Sequence, residues 1–201
     1  METMIAVTAL LGVFHSMSPD HWVPLSVLSW QRALSTRQLL EKTAALVAGH
    51  LGLALLMAWI LMPVVAHSGL TAASVLRVGA LLVAGAVLVR MRRLERMLEV
   101  FRGGNHGKGA LMTTLSLLGP AESLVPLLLK ARIEGHSGLP VLALYGGLTF
   151  ATISTLAILG HRLWNDPTRL ARGLSLLLKP SFSFPVAAVL GLSLVAMLQF
   201  A

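Results

Sequence analysis

Cysteine is absent from this chain of 201 residues. That excludes disulfides, thiolate metal sites and any electron carrier that works through a cysteine pair. Charge is scarce as well: only 12% of the residues are Asp, Glu, Lys or Arg, while 56% are hydrophobic. An average soluble domain carries about 25% charged residues, so water is a poor solvent for this composition. The formal net charge of +8 would suit nucleic acid if the cations formed one surface. They lie instead in short segments between apolar runs, the usual place for Lys and Arg in membrane proteins, and nucleic acid is excluded as a partner in favour of the lipid bilayer.

Apolar runs of transmembrane length, roughly 20 residues each, cover about 3–30, 43–66, 70–91, 110–130, 138–160 and 181–200. The expected fold is all-α: a polytopic membrane protein with six transmembrane helices in a single domain over 1–201. The first run opens near Met1 without a basic n-region or a small-residue cleavage site, so it is expected to be a retained helix. Arg32, Arg37 and Lys42 follow the first run; Arg90, Arg92, Arg93, Arg96, Arg102 and Lys108 follow the third; Arg162, Arg169, Arg172 and Lys179 follow the fifth. The other side has only Lys130 and Arg132 at its edge. Positive-inside bias then turns both termini away from the cytoplasm. The loop at about 92–109 is expected to be cytoplasmic, a basic amphipathic helix near anionic lipid followed by a Gly-rich stretch around His106.

Six of the eight acidic residues fall at termini or in loops, and Asp20 and Glu122 fall inside apolar runs. A carboxylate at the centre of a membrane helix costs about 2.5–3.5 kcal/mol on insertion scales, so such a group is a functional candidate. Their surroundings repeat: Asp20-His21-Trp22-Val23-Pro24-Leu25 aligns with Glu122-Ser123-Leu124-Val125-Pro126-Leu127, and Pro19 and Pro120 lie just upstream. Two units of three spans each, about 1–91 and 110–201, must insert with opposite orientations. This predicts two inverted three-helix repeats with a proline-broken first helix in each half and a site at midplane.

Helical proline lacks an N–H and crowds the carbonyl four residues earlier. Pro19 is expected to free the carbonyl of His15, Pro24 that of Asp20 and Pro126 that of Glu122, leaving oxygen acceptors for a cation. In a continuous helix His15, Asp20 and His21 would be spread around the axis, so a break at Ser18-Pro19 is needed to bring them together. With His50 and Glu122 they form an imidazole and carboxylate set suited to borderline divalent metals such as Ni²⁺, Co²⁺ or Zn²⁺. A packing role competes with this reading: Asp20 and His21 as an ion pair pinning the first helix, and His50 as a cross-helix hydrogen-bonding group. Three ionisable groups within seven apolar-flanked residues favour function for His15, Asp20 and His21.

The stretch His15-Ser16-Met17-Ser18-Pro19-Asp20-His21 resembles the His-x4-Asp-His signature of the nickel/cobalt transporter family. Gly49-His50 is similar to that family's Gly-His on the next helix, and Leu118-Gly119-Pro120-Ala121-Glu122 to its later Leu-Gly segment ending in glutamate. The three motifs occur in family order. The resemblance implies a permease of a prokaryotic inner membrane for Ni²⁺ or Co²⁺, like the compact six-helix relatives associated with urease or hydrogenase maturation. It also implies that the first-helix histidines and aspartate recognise the metal, which is cargo; no cofactor is expected to be permanently bound. Three positions depart from the family: Phe14 replaces the usual Arg, Ser18 an extra Asp, and no Asp-Thr-Ala-Thr run precedes Glu122. Pro19 resembles the nickel and cobalt efflux branch, so the direction of transport stays open.

Two roles compete for Thr149, Thr152, Ser154 and Thr155, lining the pathway and packing helices through hydrogen bonds, and packing is expected; Arg77 is expected to snorkel unless it pairs with Asp20 or Glu122. His67, His106, His136 and His161 near span ends are expected to be interfacial or solvated. Two other classes compete with the permease: an intramembrane metalloenzyme, against which the lack of His-Glu-x-x-His counts, and an exporter of a small anion or amino acid. Catalysis is not expected, and homo-oligomerisation is open.

Overall fold

The computed structural model describes residues 2–79 and 123–163, the side chains of Pro19, Asp20, Gln31 and Leu163 excepted. Among the described residues there are six helices and no strand: α1 (Glu2–Met17), α2 (Pro19–Gln31), α3 (Thr36–Ser68), α4 (72–79), α5 (Leu124–Ile133) and α6 (Leu139–Leu163). The sequence expectations for 80–122, including the 92–109 loop and His106, and for the run at 181–200 lie outside the described residues.

The first apolar run is two helices. At Ser18 the backbone leaves the helix (φ −57°, ψ 127°) and Pro19 opens α2 at its first position. Proline fits there, because the first N–H groups of a helix have no intrahelical acceptor to lose. The second run is longer than its apolar stretch. Ser35 caps α3 with a capping box, its hydroxyl accepting Gln38 N–H and the Gln38 side chain accepting Ser35 N–H. This carries the helix seven residues N-terminal to the expected start, through the exposed Arg37–Glu41 pair at 3.0 Å. Gly69, left-handed at φ 66°, ends it, and Thr71 caps α4 by accepting Ser74 N–H.

Among the described residues two helices are long and apolar enough to cross a membrane: Thr36–Ser68, with 33 residues, and Leu139–Arg162, with 24. At 1.5 Å per residue the first spans about 50 Å, against a hydrocarbon thickness of about 30 Å. Its buried residues Leu39, Thr43, Val47, His50 and Ala54 recur every three or four positions and so share one face. Leu55, Leu56, Trp59, Ile60 and Val64 are exposed, Trp59 to 76%. Such an apolar outer surface is compatible with membrane insertion and is a liability in water.

Helix α6 packs against α1, α2 and α3. Its inward stripe, Val141, Tyr145, Thr149, Ile153 and Ala157, advances by four residues at a time. Two apolar clusters form around it. One gathers Met4, Val7, Ala54, Leu124, Leu127 and Tyr145; the other gathers Trp22, Val23, Leu39, Val47, Ile153 and Ala157. Along α3, His50 falls between Val47 of one cluster and Ala54 of the other, and along α6 Thr149 falls between Tyr145 and Ile153. The polar side chains occupy a waist between two apolar layers.

Candidate metal centre

Three helices each deliver one imidazole to that waist. His15 ends α1, His21 lies in the first turn of α2, and His50 stands mid-way along α3 on its buried stripe. One ring nitrogen from each lies within 4.8 Å of the other two. The ring centroids of His15 and His21 are 4.5 Å apart, those of His21 and His50 5.2 Å, and those of His15 and His50 6.3 Å. His21 is 1% exposed and His50 2%, while His15 is half-buried. In an unbroken helix, residues six apart would stand about 9 Å apart along the axis and about 120° apart around it. The break at Ser18 is therefore what brings His15 and His21 together.

The break also satisfies its own backbone, which corrects the expectation of a free His15 carbonyl. The His15 carbonyl accepts Ser18 N–H at 3.3 Å, the Ser18 carbonyl accepts His21 N–H at 3.2 Å, and the Met17 carbonyl accepts the Trp22 indole N–H at 3.2 Å. The non-proline neighbours supply the donor that Pro19 cannot. Pro126 sits in the first turn of α5, after Ser123, and the chain before Ser123 lies outside the described residues. Pro24 does lie inside α2. Asp20 occupies the second position of α2, where the helix dipole favours an acid; its side chain lies outside the described residues, as do Pro120 and Glu122 entirely.

Sequence reasoning missed Tyr145 and Ser123. Tyr145 is fully buried on the α6 stripe, its ring 6.0 Å from that of His15, and its hydroxyl is 2.6 Å from Ser123 Oγ. Ser123 follows Glu122 directly, so this pair ties the beginning of α5 to the histidine waist. Tyr145 is the single tyrosine of the chain, and its place on a four-residue stripe was the available signal.

The expectation that hydroxyls of α6 pack through hydrogen bonds fails for two of them. Thr149 Oγ1 and Ser154 Oγ are buried with no hydrogen-bond partner among the described residues, and so is Ser29 Oγ on α2. Each such group costs about 1–3 kcal/mol if it stays dry. Thr152 is half-buried and Thr155 exposed. His67 behaves as expected, exposed and donating from Nδ1 to the Pro63 carbonyl at 2.7 Å. His136 and His161 are half-buried and Arg77 is exposed. Lys130, read as an edge cation, is 9% exposed and pairs with Glu134 at 2.8 Å.

Three imidazoles with no thiolate form a donor set for a borderline divalent cation. Metal–nitrogen bonds of about 2.0–2.1 Å would place ligand nitrogens about 3–3.4 Å apart, closer than the 4.8 Å limit seen here. The group is open by about 1.4 Å on that measure. Comparison with protein families, curated proteins and solved structures finds no match to this chain.

Proposed function

We propose that the chain is a membrane permease for a divalent transition-metal cation, Ni²⁺ or Co²⁺, with six spans in two inverted three-helix halves. The observation that carries this reading is the convergence of His15, His21 and His50, from three helices, to within 4.8 Å of one another between two apolar layers. Buried imidazoles at that depth are an expensive way to pack helices, and their chemistry selects borderline metals over alkali ions. Asp20 and Glu122 complete the proposed ligand set and supply the negative charge that a divalent ion needs inside lipid. The cation enters from one face, exchanges water for imidazole and carboxylate at the waist, and leaves through the other. Multi-pass insertion into a prokaryotic inner membrane, with both termini non-cytoplasmic, belongs to the same proposal. So does the kinship with nickel/cobalt transporters suggested by His15-x4-Asp20-His21.

Flux into proteoliposomes tests it. Purified protein should carry Ni²⁺ or Co²⁺ in preference to Mg²⁺, and His21→Ala should reduce that flux at least tenfold while the protein still reconstitutes. Equal permeation of Mg²⁺, or full flux in His21→Ala, would defeat the proposal.

A further inference from the structure

Of the three imidazoles at the waist, His15 is the least enclosed. His21 and His50 are 1% and 2% exposed, whereas His15 is half-buried and ends α1 beside the break at Ser18. A ligand in that place keeps torsional freedom that close burial removes from the other two, so its ring has to be set by what packs on it. The ring of Tyr145 stands there. Its centroid is 6.0 Å from that of His15, with the planes 42° apart, within the range of a tilted aromatic contact.

The contact follows from how α1 meets α6. A Cβ placed on Gly12 would stand 3.5 Å from the Tyr145 carbonyl oxygen and 3.6 Å from its Cα, so the two backbones meet at these residues. His15 is three residues on from Gly12, hence on the same side of α1, and reaches the Tyr145 side chain. The far end of the ring belongs to α5. Ser123 occupies the N-cap of that helix and makes no side-chain cap bond. A serine there usually accepts from the N–H two or three residues on; the third residue is Pro126, which has no N–H. Ser123 Oγ instead lies 2.6 Å from the Tyr145 hydroxyl, with both residues buried.

We propose that Tyr145 is a positioning residue of the metal centre: anchored through its hydroxyl to Ser123, its ring holds the His15 imidazole in the orientation from which it captures the ion. Phenylalanine would fill the same space. The hydroxyl is what takes away the ring's freedom to tilt. The effect on capture rests on the metal-binding reading of the three histidines, while the hold on His15 exists with or without an ion.

Calorimetric titration of the detergent-solubilised full chain with Ni²⁺ tests the role. Tyr145→Phe and Ser123→Ala should each weaken binding about tenfold, the lower end of what loss of an orienting partner costs a metal site. The double variant should lose no more than either single one, because both substitutions remove the same bond. Thr8→Val also deletes a buried hydroxyl bond, the one to the Met4 carbonyl, and should keep the wild-type affinity, as general destabilisation would not allow. Wild-type affinity in Tyr145→Phe or Ser123→Ala, or losses that add in the double variant, would overturn the role.

A metal-free measurement separates the role from the cargo. With imidazole carbons labelled with ¹³C, Ser123→Ala leaves both rings in the chain and should still shift the NMR signal of His15, but not that of exposed His67. An unmoved His15 signal would overturn the role whatever the metal does. A shifted His15 signal in a protein whose wild type binds no Ni²⁺ would sink the metal reading and leave the hold on His15 standing. The unsubstituted chain gives a reading that needs no variant to fold: Tyr145 is the single tyrosine, its labelled Cζ gives one signal, and diamagnetic Zn²⁺ should move that signal on binding. A tyrosine signal indifferent to bound Zn²⁺ would overturn the role.

Discussion

His50→Ala isolates the contribution of one helix to metal capture. His15 and His21 flank the break at Ser18, where the backbone bends without disturbing a helical ladder. His50 stands inside an unbroken helix of 33 residues. The nitrogens lie up to 4.8 Å apart and must close by about 1.4 Å to bind one ion. We expect the two ligands beside the break to move and His50 to serve as the fixed point. Removing an outer-shell partner of a metal site costs about 10–100-fold in affinity. Deleting the fixed ligand itself should reach at least the top of that range, about 2.7 kcal/mol. Thermal unfolding of the detergent-solubilised protein reads this through ligand linkage. With Ni²⁺ at 100 times the wild-type Kd, binding stabilises by about 2.7 kcal/mol; after a 100-fold loss the same Ni²⁺ gives about 0.4 kcal/mol. The Ni²⁺-dependent shift in melting temperature should shrink to about one seventh, and calorimetric titration should give the matching loss of affinity. His67→Ala, exposed and bonded within its own helix, should keep the full shift. A His50→Ala protein that folds and retains the wild-type shift would refute the reasoning, because the third imidazole would then be packing and not ligand.

Tyr145→Phe removes the 2.6 Å bond to Ser123 and should lower unfolding stability by about 1 kcal/mol in chemical denaturation; no loss would show that the pair does not tie α5 to the waist. Gly79→Ala should destabilise by about 1–3 kcal/mol, since its Cβ would fall 2.5 Å from the Pro126 ring, and a rigid ring cannot yield. Gly49→Ala, with nothing within 4 Å of its Cβ, should be neutral or stabilising by up to about 1 kcal/mol in the same assay. Pro19→Ala lets the helix run through Ser18, so the metal-free melting temperature should rise while Ni²⁺ affinity falls; unchanged affinity would mean that the break is not needed for binding.

How much of this was legible in the residues depends on the range of the force involved. The break at Ser18-Pro19 was readable because proline acts on its own turn. It followed that His15 and His21 could meet, which their spacing in a regular helix forbids. The fate of the His15 carbonyl was not readable, because Ser18 N–H takes it up only once the turn has tightened. Apolar runs mark where lipid suits the chain and not where a helix ends. That is why α3 begins at Thr36, under the Ser35 cap, well before its hydrophobic stretch. In a helix apolar all round, hydrophobicity does not mark the inward face. His50 could be placed there only with Thr43, which shares its stripe, and by a resemblance to a known family. Tyr145 escaped for the same reason, as one more large residue in an apolar run.

The hydroxyls of Thr149 and Ser154 show where sequence reasoning reaches its limit. Their letters match those of Thr8 and Ser16, and helix geometry offers all four a carbonyl four residues earlier. Two take it and two do not, so the difference resides in what each faces across the interface. Facing is a tertiary property, set by the helices packed against α6.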